Sequence, residues 1–478
     1  MKKRLAAEWE PAVGVLVAYP ISLPKALVQK LAKDTTLHLM CAADAIDEAR
    51  ELLAKWEIDA DAVRFLVVPK GDDSTWPRDW GPHPCFDEQG NFELIGPRYV
   101  LSTPFCGTEH NPELFCAPWG DDKLPLSEFE GDTSDDLASS AIARQLGVPF
   151  VKAPFAFTGG NVLNDGIDTI LSTEVLLAEN EFQGWTRDEY FKQVAELTGM
   201  SNYTVLSDYE HFSLNHVDCF LKILDDRRLL VERPPADSDL YPIYEDIVSN
   251  EIAKATNSHG EPWEVIRIDA GYVRPYEGID AGITDTGEGI AAYVNSLILN
   301  KCVYVPMYGI DTDEQALATW RAAMPGYDVQ GFTFEIADEV DSYNPDGLYG
   351  VCGWDPGDVL HCRTRAVWDQ HMLYVRADGP VGGAVAGEPT TVSVVVVPYS
   401  RCAVIPEETK LMWRVAGETA FNEAELIPGP THEVYVAEVS AQPAGTVVEY
   451  YAVAADESGR CESFPRVAPA QLRSFTVA

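Results

Sequence analysis

The chain is poor in basic residues. Its 35 lysines and arginines stand against 76 aspartates and glutamates among 478 residues, which gives a formal net charge of −41 at pH 7. A field of that sign repels a phosphate backbone, so we expect no nucleic-acid partner. The same field draws cations toward the protein, but an acidic surface is equally common as an aid to solubility. Net charge alone therefore identifies no ligand.

Cysteine is sparse as well. Ten cysteines in 478 residues are too few for a disulfide framework, and no spacing is typical of a zinc site. We therefore expect no metal ion and no other cofactor. Two local pairings stay open at this point: Cys402 with Cys461 in the C-terminal part, and Cys106 with Cys116 across a loop.

Long apolar runs are absent from the sequence. No stretch of about 18 uncharged apolar residues occurs, so we expect no membrane span. The start at Met1–Arg4 is basic, but Glu8 follows before the apolar run of a secretory signal can form. The sequence thus predicts a soluble protein and leaves its compartment open. It would be secreted or periplasmic if the chain begins at a processed N-terminus, and cytoplasmic otherwise.

The first part of the chain, residues 1–377, alternates short apolar strands with amphipathic helices. This alternation predicts an α/β domain, although no clean sequence period marks a repeat. A hydrophobic content of 46% is ample for two or three cores in a chain of this length. Strands are predicted at residues 15–19, 63–68, 169–172, 220–224 and 303–306, and helices at residues 45–56, 134–146 and 314–323.

The character of the sequence changes after residue 377. Glycine and proline between residues 379 and 389 predict a linker, and residues 384–478 form a second domain. Its segments are β-branched and aromatic and recur at regular intervals, which is typical of an all-β immunoglobulin-like sandwich. Strands are predicted at residues 391–397, 411–415, 434–439 and 446–454.

Four short segments carry the candidate chemistry. They are residues 75–82 (TWPRDWGP), 158–161 (TGGN), 215–219 (NHVDC) and 358–364 (DVLHCRT). Together they supply one cysteine, one histidine and two aspartates, which suits attack on a guanidinium. That cation has a pKa above about 12 and resists water. A thiolate is a stronger nucleophile, an imidazolium can lower its pKa and supply a proton, and carboxylates can grip the planar N–H fork.

Each segment alone has a simpler interpretation. A cysteine is usually a small buried hydrophobe, and the two glycines of residues 158–161 would ordinarily mark a tight turn with positive φ. His216 and Asp218 lie on one face if their segment is a strand. His361 would point away from the face of Cys362 in an extended segment, so we expect it to pack in the core or to support the site from behind. Only the four segments together favour a catalytic site.

In this order the four segments resemble the bacterial peptidylarginine deiminases of the porphyromonad type, which are relatives of agmatine deiminases in the guanidine-modifying pentein superfamily. The resemblance extends to residues 8–11, 295–300 and 323–327, and it covers residues from about 8 to 376. It implies a five-bladed α/β propeller with the active site in a central channel.

The resemblance also implies roles for individual residues. Cys362 is expected to be the nucleophile, His216 the general acid and later base, and Asp79 and Asp218 the guanidinium clamps. Trp76 would lie against the apolar stem of the substrate. The other expected substrate-binding residues are Asn295, Arg78, Thr158, Gly159 and Asn161.

The implied reaction converts peptidyl-arginine to peptidyl-citrulline and ammonia through an S-alkylthiouronium on Cys362. Thr158 favours this substrate, because agmatine deiminases typically carry a glutamate there. The alternative is agmatine, which would give N-carbamoylputrescine. The region 95–136 is acidic and offers only Arg98, so we expect no strong preference for C-terminal arginine. The glycine-rich segment 271–290 is expected to be a lid or a surface insertion.

Two other classes of function remain open. A cysteine hydrolase of peptide bonds would need Cys362 and His216 but would leave the second carboxylate without a role. A binding protein would act through residues 384–478 with the rest as scaffold. The expected partner is otherwise an arginine-containing peptide or protein, or a small guanidino compound.

Overall fold

The computed structural model describes residues 2–69, 75–99, 134–209, 215–273, 289–333, 354 and 358–478. Contacts divide these residues into a larger unit (2–323 and 329–368) and a smaller one (324–328 and 369–478). Most of the acidic region 95–136, most of the segment 271–290 and the pair Cys106 and Cys116 lie outside the described residues.

The helices of the described residues are short and end at recognisable signals. Helix α6 has a capping box between Thr186 and Glu189, and it ends at Gly199 with a φ of 77° in the left-handed region. Asp47 and Glu48 lie in the first turn of α2 and Lys55 in its last, as the helix dipole favours. The bounds are α1 (Lys25–Asp34), α2 (Ile46–Lys55), α3 (Pro77–Trp80), α4 (Ser134–Leu146), α5 (Glu174–Phe182), α6 (Arg187–Thr198), α7 (Val217–Phe220), α8 (Tyr241–Asn250) and α9 (Asp313–Ala323).

The strands of the larger unit are mostly short and buried. Many carry Val, Ile and Leu, as strands covered on both faces require. They are β1 (Arg4–Leu5), β2 (Ala12–Ala18), β3 (Thr36–Cys41), β4 (Val63–Val67), β5 (His83–Phe86), β6 (Phe92–Arg98), β7 (Phe150–Ala156), β8 (Leu163–Asn164), β9 (Thr169–Thr173), β10 (Asn202–Leu206), β11 (Leu221–Ile223), β12 (Arg228–Arg233), β13 (Glu264–Asp269), β14 (Tyr272–Val273), β15 (Gly289–Ile290), β16 (Leu297–Leu299), β17 (Cys302–Pro306), β18 (Asp328–Phe332) and β19 (Arg365–Trp368).

These strands form several small sheets with one recurring plan. The orders are β1-β5-β6-β7, β10-β9-β8, β11-β12-β13, β16-β17-β18 and β19-β2-β3-β4, and β14 pairs with β15. In each of the five larger sheets an antiparallel pair comes first: β5 with β6, β8 with β9, β11 with β12, β16 with β17 and β19 with β2. In four of them the second strand then pairs in parallel with a third, and helices lie between the two in the chain.

The smaller unit is built from two β-sheets around one core. Val392, Val394 and Val396 of one sheet and Tyr450 and Ala452 of the other belong to the same buried cluster. Alternate residues point inward, as the pleat of a strand requires. The strands are β20 (Leu373–Pro380), β21 (Thr390–Pro398), β22 (Lys410–Val415), β23 (Asn422–Glu425), β24 (Ile427–Pro428), β25 (Val434–Val439), β26 (Val447–Ala455), β27 (Cys461–Phe464) and β28 (Arg473–Thr476).

The sheets of the smaller unit are β20-β21-β25-β24 and β23-β22-β26-β27, with β28 also paired to β26. The predicted linker begins inside a strand, because Gly379 and Pro380 close β20. Cys402 and Cys461 are not joined by a disulfide, so that possible pairing is wrong.

The mixed α/β class is confirmed, and each strand and helix predicted above overlaps an observed one. One local prediction is wrong: the segment of His216 and Asp218 is not a strand, because Val217–Phe220 is a helical turn. None of the helices within the described ranges is long and apolar enough to cross a membrane.

Candidate active site

The candidate site residues occupy equivalent positions in the five sheets. Asp79 lies in α3 just before β5, and Gly160 in a short 3₁₀ turn before β8. Asp218 lies in α7 directly before β11, Asn295 shortly before β16, and Cys362 shortly before β19. Each segment therefore leads into the first strand of an antiparallel pair. The repeated plan of the sheets explains how residues far apart in sequence come together.

Gly160 lies where three of the predicted residues meet. Its N–H donates to Asp79 Oδ1 at 3.0 Å. A methyl group added to Gly160 would lie 2.5 Å from that oxygen, 2.7 Å from His216 Nδ1 and 3.3 Å from Asp218 Oδ2. His216 Nδ1 is itself 3.5 Å from Asp79 Oδ1. Gly160 is not among the residues with positive φ, so this glycine is required by the close approach of side chains rather than by a turn.

The candidate nucleophile is buried beside an asparagine. Cys362 is 3% exposed, and its sulfur lies 3.3 Å from Asn295 Nδ2. Asn295 Oδ1 accepts the backbone N–H of His361 at 2.8 Å. Asn295 therefore holds the turn that presents the sulfur, and its N–H can stabilise a thiolate. The sulfur also lies within 4.8 Å of a carboxylate oxygen of Asp218.

Asp218 is held from behind by a buried chain of polar groups. Its Oδ2 lies 2.6 Å from His361 Nδ1, and His361 Nε2 lies 2.6 Å from Glu8 Oε2. Glu8 also pairs with Lys222 Nζ at 3.3 Å. Burial raises the pKa of Asp218, but the hydrogen bond and charge of His361 outweigh it, and the pKa is lowered overall. Burial likewise opposes ionisation of Glu8, yet His361 and Lys222 bring its pKa well below the usual range.

The other oxygen of Asp218 has no such partner. Oδ1 is buried and makes no hydrogen bond to any described residue. A buried carboxylate oxygen without a partner is costly, because it has given up its hydration. Since the same carboxylate is kept ionised, this oxygen is suited to receive the N–H of a cationic ligand.

The remaining ionisable groups are tuned by burial and by each other. Burial raises the pKa of Asp79 to about 6, with Asp218 adding to the rise and His216 opposing it. A hydrogen bond with Cys219 lowers the pKa of the Cys362 thiol, but burial and the carboxylates of Asp218 and Asp79 raise it overall. The site without substrate therefore favours a protonated thiol.

The structure gathers the predicted quartet Cys362, His216, Asp79 and Asp218. Arg78 contacts the segment that carries Cys362, because its Nε donates to the carbonyl of His361 at 3.2 Å. Its Nη2 is buried and has no partner among the described residues.

The other predicted residues lie nearby. A methyl group on Gly159 would lie 1.9 Å from the Arg78 carbonyl oxygen, so this glycine is also a point of close approach. Asn161 bonds to Thr173 and to the N–H of Val217 at 3.1 Å, which supports the turn of His216. Thr158 is buried before that turn, and Trp76 is half-buried before α3.

Sequence reasoning missed three residues of this site and gave a fourth, His361, only a supporting role beside the nucleophile. Glu8 and Lys222 had no predicted role, whereas His361 does support the site by holding Asp218. Cys219 follows Asp218 directly, and its sulfur, like that of Cys362, lies 3.3 Å from Asn295 Nδ2. The buried acidic residue in the opening motif of residues 8–11 was an available signal, but a single sequence does not reveal its partners.

The chain also matches known proteins over most of its length. The family model of the Porphyromonas-type peptidyl-arginine deiminases matches residues 4–336. A Vibrio parahaemolyticus protein that carries the name agmatine deiminase is 22% identical over 348 residues, which cover 68% of this chain and 89% of that protein.

Two solved structures are similar to the chain in fold. The agmatine deiminase of Enterococcus faecalis has a TM-score of 0.57 and 19% identity, and the match covers 77% of this chain and 96% of that one. A variant of the C. jejuni agmatine deiminase, solved with substrate bound, has a TM-score of 0.55 and 13% identity over 77% and 96% of the two chains.

Fold and site thus define a hydrolase that acts on the C–N bonds of guanidino groups. The chain belongs to the family of the Porphyromonas-type peptidyl-arginine deiminases.

Proposed function

We propose that the protein deiminates a guanidinium through a covalent intermediate on Cys362. The observation that carries this proposal is the buried, unpartnered Oδ1 of the ionised Asp218, whose carboxylate lies within 4.8 Å of the Cys362 sulfur. A planar cation placed against Asp79 and Asp218 would present its central carbon to that sulfur. Two carboxylates can each accept N–H groups from opposite edges of the fork.

In the proposed reaction the Cys362 thiolate attacks the guanidinium carbon and a C–S bond forms. The C–N bond then breaks, and ammonia leaves with a proton from His216. Water attacks the thiouronium carbon while His216 takes its proton, and the C–S bond breaks to release a urea. The net change is addition of one water and loss of one ammonium, so the substrate loses its positive charge.

Substrate binding would also activate the nucleophile. The carboxylates of Asp218 and Asp79 help raise the pKa of the Cys362 thiol in the empty site. A guanidinium bound between them offsets their charge, so the thiol loses its proton more readily when substrate is present. The reactive thiolate would then form mainly in the complex.

Between the two candidate substrates we place agmatine first, because the curated relatives carry that name. A physical argument supports it. Glu179 in α5 is 9% exposed and has no ion-pair or hydrogen-bond partner for its side chain within the described ranges. Burial and the charge of Asp79 raise its pKa to about 8. The primary amine of agmatine would supply the cation that this acid lacks, whereas a substrate carboxylate would be repelled.

Peptidyl-arginine stays the second candidate because of Thr158. Agmatine deiminases typically carry a glutamate at that position, and this chain has a buried threonine.

We also propose that the five larger sheets are the blades of a pentein propeller in domain 1–377, and that residues 384–478 form an immunoglobulin-like sandwich. The repeated antiparallel pairs and the two-sheet core support this interpretation. A crystal structure in which these sheets do not surround one axis would overturn it.

The decisive experiment measures ammonia release together with formation of the ureido product from agmatine, from benzoyl-arginine amide and from benzoyl-arginine. We expect agmatine to be turned over with the highest kcat/KM and benzoyl-arginine with the lowest. Cys362→Ala should abolish all three activities. Preference for benzoyl-arginine amide would restore peptidyl-arginine as the substrate. Hydrolysis of the C-terminal amide without a ureido product would show a cysteine hydrolase of peptide bonds instead. No turnover of any kind would favour a binding protein.

A further inference from the structure

A second thiol lies beside the candidate nucleophile. The sulfurs of Cys219 and Cys362 and a carboxylate oxygen of Asp218 all lie within 4.8 Å of one another. The three residues are 6%, 3% and 0% exposed, and no disulfide joins the two cysteines. Among the described residues this is the one group of three or more acidic, thiol or imidazole side chains whose ligand atoms all lie within 4.8 Å of one another.

Asn295 supplies a donor that can stabilise negative charge on both sulfurs once they lose their protons. Asn295 Nδ2 lies 3.3 Å from each sulfur and donates toward both. The carboxylate of Asp218 is oriented by His361 at 2.6 Å. A histidine or carboxylate partner that fixes the orientation of a ligand from behind is a common feature of protein metal sites.

A second, independent observation points to a ligand. Asp218 Oδ1 is fully buried and has no partner among the described residues. Two sulfurs and one carboxylate oxygen are a donor set that zinc binds well, with Zn–S near 2.3 Å and Zn–O near 2.0 Å. Those bond lengths place the donors roughly 3.3 to 3.8 Å apart. Groups that already lie within 4.8 Å would need only a small inward shift.

We propose that Asp218, Cys219 and Cys362 form a binding site for a thiol-seeking divalent cation such as zinc, and that the bound cation shuts the active site. Each thiol gives its proton to solvent as its sulfur binds the metal. The cation would occupy both the nucleophile and one clamp, so it would compete with the guanidinium substrate. The inhibitory part of this inference rests on the proposed function, while the binding part does not.

The binding test uses the full-length, metal-free protein and cobalt(II) as the probe. Cobalt bound by thiolates gives a charge-transfer absorption in the near ultraviolet, which is independent of enzyme activity. Wild type should bind one equivalent with this absorption. Cys219→Ser and Cys362→Ser should each lose at least part of the absorption band. Their affinity for cobalt should fall by more than the roughly 10- to 100-fold that is lost when a residue supporting a metal ligand is mutated.

Cys461→Ser is the matched control, because Cys461 is exposed and belongs to the smaller unit. Its titration should equal that of wild type. Absence of the charge-transfer band in wild type, or an undiminished band in Cys219→Ser, would overturn the proposal.

A second measurement needs no variant and so does not depend on whether a variant folds. Zinc should protect Cys219 and Cys362 together from alkylation by iodoacetamide, as read by peptide mass. Equal alkylation of both cysteines with and without zinc would contradict the site.

The activity test compares zinc inhibition of each protein with its own activity in chelator-treated buffer. Zinc should inhibit wild type reversibly. The zinc concentration that gives half inhibition should be at least about 10-fold higher for Cys219→Ser. Equal sensitivity would overturn the inhibitory role.

A protein that binds cobalt but never releases ammonia would refute the proposed function alone. One that releases ammonia but binds no cobalt through these thiols would refute this inference alone.

Discussion

His361 Nδ1 lies 2.6 Å from Asp218 Oδ2, and the opposite nitrogen of the same ring lies 2.6 Å from Glu8 Oε2. The residue that precedes the candidate nucleophile in the chain therefore fixes one of the carboxylates expected to hold the substrate. Glu8 completes the chain from the N-terminal segment, where it also accepts the N–H of Ile298 at 2.8 Å. One buried network therefore positions both Asp218 and the segment that carries Cys362.

Glu8→Gln tests this network. The variant leaves Lys222 buried without its charged partner. It also leaves one amide oxygen in place of the two carboxylate oxygens that serve Lys222, His361 Nε2 and the N–H of Ile298. We expect a loss of about 3 to 5 kcal/mol in the free energy of unfolding and a fall of up to about 100-fold in kcat/KM through misplacement of Asp218. Denaturant titration and steady-state kinetics measure the two effects.

The matched control is Glu10→Gln. Glu10 forms a buried pair with Arg4 at 2.6 Å, and within the described ranges it takes no part in the hydrogen bonds that join Glu8, His361 and Asp218. It should lose similar stability and keep its kcat/KM. Equal kinetic losses in the two variants would show that Glu8 matters only for folding.

Acid should destabilise the wild type through the same network. The pKa values of Glu8 and Asp218 are lowered in the folded protein, so their contribution to stability is present above the unfolded-state pKa near 4. It is lost as the pH falls below that value. In Glu8→Gln the acid-induced loss, followed by denaturant titration between about pH 3 and 7, should be smaller than in wild type.

Gly160→Ala should inactivate the enzyme without unfolding it. The added methyl group would lie 2.5 Å from Asp79 Oδ1 and 2.7 Å from His216 Nδ1, which are ends of side chains and can shift. We expect a loss of about 100-fold or more in kcat/KM. Gly159→Ala is the informative comparison, because its methyl group would lie 1.9 Å from a backbone oxygen. That variant should lose stability as well, and equal thermal stability of the two would contradict the assigned contacts.

Asp79 should set the acidic limb of the activity profile. Its pKa is raised to about 6, and only the ionised form attracts a guanidinium, so kcat/KM should fall as the pH drops through about 6. The raised pKa also means that the folded state binds this proton more tightly than the unfolded state. Stability from this group therefore declines as pH rises from about 4 to 6.

Asp79→Asn removes both effects. It should lose about 100-fold or more in kcat and gain stability at pH 7, by on the order of 3 kcal/mol if the pKa shift accounts for all of it. Denaturant titrations at pH 4 and 7 measure the gain, which should shrink at the lower pH. A variant less stable than wild type at both pH values would contradict this account of Asp79.

Glu179→Gln tests the choice of substrate. Its raised pKa of about 8 means that Glu179 is mostly neutral at pH 7 and ionises at higher pH or beside a cation. The variant should raise KM for agmatine about 10-fold, equivalent to about 1.4 kcal/mol, and leave benzoyl-arginine amide unaffected. An equal change for both substrates would mean that Glu179 does not recognise the amine.

The sequence allowed much of the fold to be predicted, for reasons seen in particular elements. Helix α4 was predicted with its observed bounds because its polar and apolar residues alternate at helical spacing and Gly147 follows it. A repeated αβ architecture was expected from the alternation of strands and helices and from the family resemblance. The individual sheets could not be identified, since the strands of their antiparallel pairs are only two to seven residues long and share no sequence motif.

The site was predicted unevenly. Asp79, His216, Asp218 and Cys362 could be found because their chemistry and order are specific. The helical turn of Val217–Phe220 was missed because a four-residue helix has no periodicity to read. Glu8 and Cys219 were missed because their partners are distant in sequence and only the fold brings them together.

The most direct test of the account is the mass of the enzyme during turnover. Wild type should be mixed with agmatine, quenched in acid within the first turnovers, and digested for peptide mapping. The account predicts that the peptide containing Cys362 carries the substrate less one ammonia, and that Cys362→Ser shows neither this adduct nor ammonia release. Ammonia release by Cys362→Ser at the wild-type rate would contradict it.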